Sequence, residues 1–230
     1  MGPVGAAADR DVIKDFYDHY YERVFNSGGL VSWSYRSTHR QVEQGVDTPA
    51  GASILEIGAG TGEHLPYVQQ DFGRYVMVDL AGPPEPQPWG DDPRVEWVTG
   101  DITADLGYEA EFDRVVSMCV LHHVDDPAAA LRNVKRWLKP GGTFSLFLPS
   151  DPGILNRFNR SVFVKPKARK LGFADYDLMA AREHRNHYWS LRTELLAQFE
   201  GYEIRHRYKP FGLPAGNFST HSVWQVTKPR

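Results

Sequence analysis

The run Ile54-Leu55-Glu56-Ile57-Gly58-Ala59-Gly60-Thr61-Gly62 constrains this chain more than any other stretch. A largely apolar segment leads into glycines at three alternate positions, and Asp79 closes the next apolar run. Such a pattern predicts a strand, a tight turn and a helix over residues 63–72, the geometry that brings backbone close to a ligand.

The rest of the chain fits an α/β core around that turn. With 230 residues, 41% hydrophobic and 24% charged, it is sized for one domain plus a modest addition. Strands are predicted over residues 53–57, 75–78, 95–98, 114–118 and 143–148, with late strands over 202–208 and 221–227. Asp126-Pro127 opens a helix in which Ala130, Leu131, Val134, Trp137 and Leu138 recur at helical spacing until Lys139-Pro140-Gly141-Gly142. Residues 191–199 read as a further helix. The aromatic segment over residues 9–48 reads as helical pieces broken at Gly28-Gly29, and residues 150–189 sustain neither period. Prolines at 83, 84, 86 and 88 forbid a helix between the second and third strands. Trp89 or a partner subunit, as in a homodimer, would have to cover the sheet there.

Composition removes several function classes. The net charge of -3 gives no general attraction to nucleic acid. No apolar run is long enough to span a bilayer, and residues 1–8 lack the basic start and apolar core of a secretory signal. Cys119 is the single cysteine, so an intrachain disulfide is excluded and a reducing, cytoplasmic setting is expected.

The acids near the glycine turn select its ligand. A dinucleotide fingerprint needs a third glycine at position 63, where this chain has Glu63. A carboxylate there opposes a diphosphate, and Glu56 before the turn suits a ligand carrying positive charge. Asp79 is placed to accept from ribose hydroxyls. Asp101 and Ile102 would pair with the adenine amino group and cover its ring. These groups outline an adenosyl amino acid.

Glu56 through Gly62, Asp79, Gly100-Asp101-Ile102, Phe112 through Met118, Val120-Leu121-His122-His123-Val124-Asp125-Asp126-Pro127 and Leu138 through Gly142 occur in an order that resembles the class I S-adenosylmethionine-dependent methyltransferases. Within that class the chain is similar to the small-molecule branch containing ubiquinone and menaquinone methylation enzymes, over about residues 50–149. The resemblance implies a Rossmann-like three-layer α/β/α sandwich with a mostly parallel seven-stranded sheet and an antiparallel last strand. It also implies that S-adenosylmethionine is held by Glu56, Gly58, Gly60, Gly62, Asp79, Asp101, Ile102, Met118 and Cys119. An N-terminal helical lid would span residues 1–48, and residues 49–230 would form the methyltransferase domain with an acceptor-binding insertion at 150–189.

Transfer from a sulfonium is an in-line displacement, and a hydroxyl or protonated amine acceptor also needs a base. His122 and His123 are the candidate bases, just beyond the fourth strand; the alternative is that they cap backbone or shape the pocket. Tyr17, Tyr21, Trp33 and Arg36 are candidates for the lid side of the acceptor pocket, and His184, His187 and Tyr188 for the insertion side. If residues 184–188 are helical, His184 and Tyr188 share a face. His184-x-x-His187 has no nearby carboxylate beyond Glu183, and no HExxH pattern or cysteine cluster accompanies it, so no metal is expected.

The acceptor is expected to be a small molecule methylated on oxygen or nitrogen, with carbon as a further option. Between residues 154 and 174, Arg157, Arg160, Lys165, Lys167, Arg169 and Lys170 stand without an acid, which suits a phosphorylated, nucleotide-linked or carrier-bound acceptor, or a solvated surface. Ser117-Met118-Cys119-Val120 is not the tetrapeptide of amide-methylating enzymes, which argues against nucleobase and protein glutamine acceptors. Leu155, Phe158, Val162 and Phe163 would permit membrane contact only for a lipid-like acceptor. A non-catalytic cofactor-binding regulator is the alternative from another class.

Overall fold

The computed structural model describes residues 11–212 and 216–230. The lead-in at 1–8 and part of the 210–214 turn lie outside the described residues.

Seven strands form one sheet in the order β3-β2-β1-β4-β5-β7-β6. They are β1 (Ala52–Ile57), β2 (Phe72–Asp79), β3 (Val95–Thr99), β4 (Phe112–Met118), β5 (Leu138–Pro149), β6 (Glu203–Lys209) and β7 (His221–Thr227). Strands β1 to β5 pair in parallel, whereas β7 runs antiparallel to both β5 and β6. The carboxyl ends of β1 to β5 therefore share one edge with the start of β7. That edge, where strand order reverses between β1 and β4, is where open α/β sheets bind ligands.

The two faces are covered differently. Helices α4 (Pro127–Trp137) and α8 (Tyr188–Gln198) bury Leu131, Val134, Trp137, Leu191 and Leu195 with Leu55, Val76, Val115 and Phe144 of the sheet. Asp126 caps α4 by accepting from the Ala129 N–H at 2.9 Å, and Pro127 fits its first turn. The opposite face carries α3 (Gly29–Glu43), whose Val42 packs with Ile54, Tyr75, Met77 and Val116.

The helix expected over residues 63–72 does not form. Only a 3-10 turn, Leu65–Tyr67, is present there, with Pro66 in its first turn. Proline lacks the N–H needed to propagate a helix, and α3 already covers that face. Its attachment is polar as well as apolar. Glu43, at the end of α3, receives Arg114 of β4 at 2.7 and 3.0 Å and lies 2.8 Å from His64. Arg114 also donates to Ser145 and Gln70, so a cation with no exposed surface has several acceptors.

The proline-rich crossover is extended, as expected, and Trp89 is its plug. Trp89 stacks on Trp97 with ring centroids 5.7 Å apart and planes at 6°. The same ring approaches Gly62, where an added Cβ would lie 2.7 Å away.

A third apolar core joins two segments far apart in sequence. The segment after β5 carries α5 (Ile154–Asn159), α6 (Lys165–Lys170) and α7 (Tyr176–Glu183). Helices α1 (Val12–His19) and α2 (Tyr21–Phe25) pack with it through Phe16, Val24, Val164, Ala168, Phe173 and Met179. Phe16 and Phe173 meet at 5.0 Å between ring centroids. Burying such a phenyl ring stabilises by roughly 1.5–3 kcal/mol. The N-terminal helices and the segment after β5 are thus one cap, standing over the carboxyl edge of the sheet.

Candidate active site

The cap and the sheet edge enclose a cavity of about 1210 Å³. Its floor is the glycine turn after β1. Gly58 has φ +65°, and an added Cβ would come within 2.3 Å of Val120, so the two loops touch without room for a side chain. Gly60 has φ +58° and no atom near its would-be Cβ, leaving its Cα open.

Acids surround this turn. Asp79 accepts from the Gly60 N–H at 2.9 Å and from the Ala81 N–H at 3.0 Å, which fixes its carboxylate at the end of β2. Asp101 accepts from the Thr103 N–H and hydroxyl at 2.8 and 2.7 Å, next to the buried Ile102. Asn133 of α4 holds that loop by donating to the Ile102 and Ala104 carbonyls at 2.9 and 2.8 Å. Glu56 is buried beneath the turn and accepts from the Tyr75 hydroxyl at 2.8 Å. Burial drives its pKa up to about 8, and the Tyr75 bond offsets only part of that.

The tyrosine wall comes from the cap. Glu63 accepts from the Tyr35 hydroxyl at 2.9 Å and from Asn26 at 2.6 Å, and Tyr35 shares a 2.7 Å hydroxyl contact with Tyr21. Tyr17 stacks on Tyr21 with centroids 5.1 Å apart and donates to Glu183 of α7. Trp33 stands at the mouth, 62% exposed but still on the cavity lining.

A histidine cluster adjoins the tyrosines through Glu183, which accepts from Tyr17 and lies 3.6 Å from His123. Strand β4 ends at Met118, and the next residue, Cys119, has φ +58°, a strained conformation for a residue with a side chain. The chain then presents His122 and His123, with ring centroids 3.7 Å apart. His184, just past α7, brings its ring within 4.7 Å of His122 and 5.2 Å of His123. Asn186 clips the two segments together by donating to the Leu121 and Val124 carbonyls at 3.1 and 2.6 Å. The His122 carbonyl accepts from the Arg185 and Asn186 N–H groups at 3.0 and 3.1 Å. Asp151, after β5, lies 2.9 Å from His184 Nδ1 and also pairs with Arg160.

Burial sets the charge states. It lowers His122 well below the ordinary histidine value and His123 to about 4, with the neighbouring imidazoles adding to both shifts. It pushes the Cys119 thiol up to about 12. For Asp151 burial acts upward, but the His184 and Arg160 contacts outweigh it and hold the carboxyl below its usual range. Glu183 is raised by burial despite the Tyr17 hydrogen bond.

Most sequence candidates therefore line one cavity: Glu56, Gly58, Gly60, Asp79, Asp101, Ile102, Met118, Cys119, His122, His123, Tyr17, Tyr21, Trp33 and His184. Gly62 lies just behind it, against Trp89. Three candidates fall elsewhere. Arg36 is on the exposed side of α3. His187 is exposed at the N-cap of α8, and Tyr188 is core, its hydroxyl 3.0 Å from that of Tyr208. The helical pairing of His184 with Tyr188 fails because α7 stops at Glu183 and α8 starts at Tyr188. Sequence reading overlooked Asp151, His39 and His64, which also line the cavity or its edge, whereas Tyr35, read with Trp33 and Arg36 as part of the lid-side wall, lines it. Asp151 had a signal in its place just after β5, at the ligand-binding edge.

The family described as methyltransferase domain matches residues 55–146. Over those residues the chain is similar to that family. The seven-stranded architecture is that of the class I S-adenosylmethionine-dependent methyltransferases, and the cofactor of this domain is S-adenosylmethionine. Phosphoethanolamine N-methyltransferase 1 of Triticum aestivum is 29% identical over 127 residues, 53% of this chain and 25% of that protein. The chain thus spans about a quarter of the length of such relatives. The 2-phytyl-1,4-naphtoquinone methyltransferase of Thermosynechococcus vestitus is 30% identical over 146 residues, 58% of this chain and 65% of that protein. Among solved structures, the Burkholderia thailandensis 1,6-didemethyltoxoflavin-N1-methyltransferase, with bound 1,6-didemethyltoxoflavin and S-adenosylhomocysteine, aligns with a TM-score of 0.60 at 20% identity. The alignment covers 100% of this chain and 93% of that one. Among the described residues, no helix of this methyltransferase fold is long and apolar enough to cross a membrane.

Proposed function

We propose that the chain transfers the methyl group of S-adenosylmethionine to an oxygen or nitrogen of a small acceptor whose body is aromatic or apolar. One observation carries this reading: a single cavity is lined both by the glycine turn with its acids and by a histidine cluster adjoining tyrosines. Its volume of about 1210 Å³ exceeds the roughly 300–1,000 Å³ of an ordinary small-molecule site, leaving room for an acceptor beside the cofactor.

In this reading Gly58, Gly60 and Gly62 wrap the methionine part and Glu56 receives its ammonium. Asp79 binds the ribose, Asp101 and Ile102 bracket adenine, and the backbone of Met118 and Cys119 borders the cofactor. The acceptor lies between Tyr17, Tyr21 and Trp33 of the cap and His123 and His184. Residues 1–48 and 150–189 act together as lid and acceptor-binding segment, excluding water while the nucleophile is held in line with the sulfonium methyl.

The proton of a hydroxyl or ammonium acceptor leaves at the histidine cluster. His123 is better placed than His122 to receive it, since His122 is only 4% exposed while His123 is partly open. Among the basic residues of 154–174, Arg160 lines the cavity and is already paired with Asp151. That favours an uncharged acceptor over a phosphorylated one. The relatives methylate an amine and a quinone in their names, so they give no preference for a quinone-specific branch.

Incubation with S-adenosylmethionine labelled in its methyl group, a metabolite extract and mass-spectrometric detection tests the reading. A labelled small product and matching S-adenosylhomocysteine are expected. Cofactor binding with no labelled product from any extract would favour a non-catalytic cofactor-binding role.

A further inference from the structure

His122, His123 and His184 do more than line the acceptor side of the cavity. Each can offer an imidazole nitrogen such that the three atoms lie within 4.8 Å of one another. A tetrahedral zinc-class ion with metal–nitrogen bonds near 2.0–2.1 Å separates its ligand atoms by roughly 3.3 Å, so modest rotations of these rings would close the set. His122 is buried, and its Nδ1 has no hydrogen-bond partner among the described residues. A buried imidazole nitrogen without a partner is costly unless something occupies its lone pair or takes its proton.

The surroundings match those of a metal ligand set. His184 Nδ1 lies 2.9 Å from Asp151 Oδ2 and 3.2 Å from the Arg160 guanidinium that pairs with Asp151. Donation to the nearer carboxylate leaves Nε2 as the metal donor and fixes the ring's orientation. His123 Nδ1 lies 3.3 Å from the Glu183 carbonyl oxygen, which likewise leaves Nε2. Glu183 Oε1 is 3.6 Å from His123 and Oε2 is 3.9 Å from His184. Asp151 and Glu183 supply two carboxylates, and Arg160 offsets one of them, so an added dication meets a favourable local charge. Besides Glu183, the acid that was not legible around His184-x-x-His187 is Asp151, which comes from just after β5.

We infer that these three histidines form a divalent transition-metal site of the zinc class, with its remaining position open to the cavity for an oxygen or nitrogen donor of the acceptor. Imidazole donors suit zinc, cobalt and nickel, and three protein ligands with an open position are the pattern of a reactive site. This deepens the proposed function and rests on it only for the identity of the donor that fills the open position. With the ion bound, His123 is a ligand rather than the proton acceptor, and the ion instead lowers the pKa of the coordinated donor so that its proton is lost to solvent.

The test is titration of the full chain, stripped with EDTA and dialysed, with Zn²⁺ by calorimetry and with Co²⁺ by visible absorption. One ion per chain and intense tetrahedral Co²⁺ bands are expected. Binding should disappear in His184→Ala and His123→Ala, and weaken about 10–100-fold in Asp151→Asn, a near-isosteric change that spares packing. Absence of stoichiometric binding overturns the site, as does full binding in both histidine variants with the fold retained by circular dichroism. If stripped protein still transfers labelled methyl groups at the untreated rate and binds no ion, the metal site falls and the methyl-transfer reading stands. If the ion binds and S-adenosylhomocysteine does not, the reverse holds.

Discussion

Arg114 of β4 places its guanidinium 2.7 Å from the carboxylate of Glu43 at the end of α3, and neither side chain has any exposed surface. This pair ties the helix that covers the glycine turn to the centre of the sheet. Removing one member leaves the other charged and buried. Arg114→Met is expected to lower unfolding free energy by about 3–5 kcal/mol, read from urea denaturation. The pair also gives an acid signature. Burial acts upward on Glu43, but His64 and Arg114 outweigh it and bring its carboxyl down to about 2, against 4.5 unperturbed. Its stabilisation is therefore complete above about pH 4.5 and lost as the pH falls toward 2, a loss that Glu43→Gln should not show.

Glu56 predicts a pH dependence of the opposite kind. Its carboxyl keeps a proton up to about pH 8 in the ligand-free fold. An ammonium group arriving beside it favours the ionised form, so cofactor binding should release a proton. S-adenosylhomocysteine affinity should rise up to tenfold per pH unit between about pH 6 and 8, and calorimetric enthalpy should vary with buffer ionisation heat. Glu56→Gln should abolish that slope and weaken binding. The ligand-free protein should lose stability as pH rises from 4.5 to 8, because only the unfolded carboxyl ionises there. A binding constant flat with pH would place the cofactor's ammonium elsewhere.

Two glycines of the turn should respond differently to alanine. Both have positive φ, which costs an ordinary residue about 1–2 kcal/mol. At Gly58 the new methyl group also strikes Val120, adding roughly 1–3 kcal/mol of overpacking. Gly58→Ala should therefore lower the melting temperature more than Gly60→Ala. Gly60→Ala should instead chiefly weaken S-adenosylhomocysteine binding, because its methyl group enters open cavity. Equal destabilisation of the two variants would contradict the contact with Val120.

Asn186 holds His184 against His122 and His123. Asn186→Ala leaves the Leu121 and Val124 carbonyls without this donor, at about 1–3 kcal/mol for a buried unmet acceptor. Thermal unfolding should reveal that loss. Methyl transfer should fall further than cofactor affinity, because the glycine turn does not touch this clip. A parallel fall in both would show that the clip supports the whole cavity rather than its acceptor side.

Much of the sheet was legible because its pattern is local. Val115, Val116 and Met118 read as a buried strand from their own sequence, and Pro83 to Pro88 forbid a helix wherever they fold. The 3-10 turn at Leu65–Tyr67 was less legible, since Glu63, His64 and Leu65 are compatible with a helix until Pro66 and the competing α3 are considered together. Arg114 carried an unread signal: a cation within an otherwise apolar strand requires a buried partner, but nothing local names Glu43. Tyr188 was misassigned because an aromatic beside histidines has the same sequence appearance in a pocket wall and in a core.

By itself the sequence determined where the strands through β5 lie along the chain, the glycine turn, and the carboxylates around it that suggest a cationic adenosyl ligand. Those features rest on backbone conformation and on periodicities spanning a few residues. The tertiary structure decided what faces the cavity. It merged residues 11–25 and 164–180 into one cap through Phe16 and Phe173. It also joined His122 and His123 to His184 and Asp151 across the sheet edge. Contacts between segments so far apart in the chain are fixed by burial and loop closure together, and a residue's own neighbours carry no record of which distant partner burial will supply.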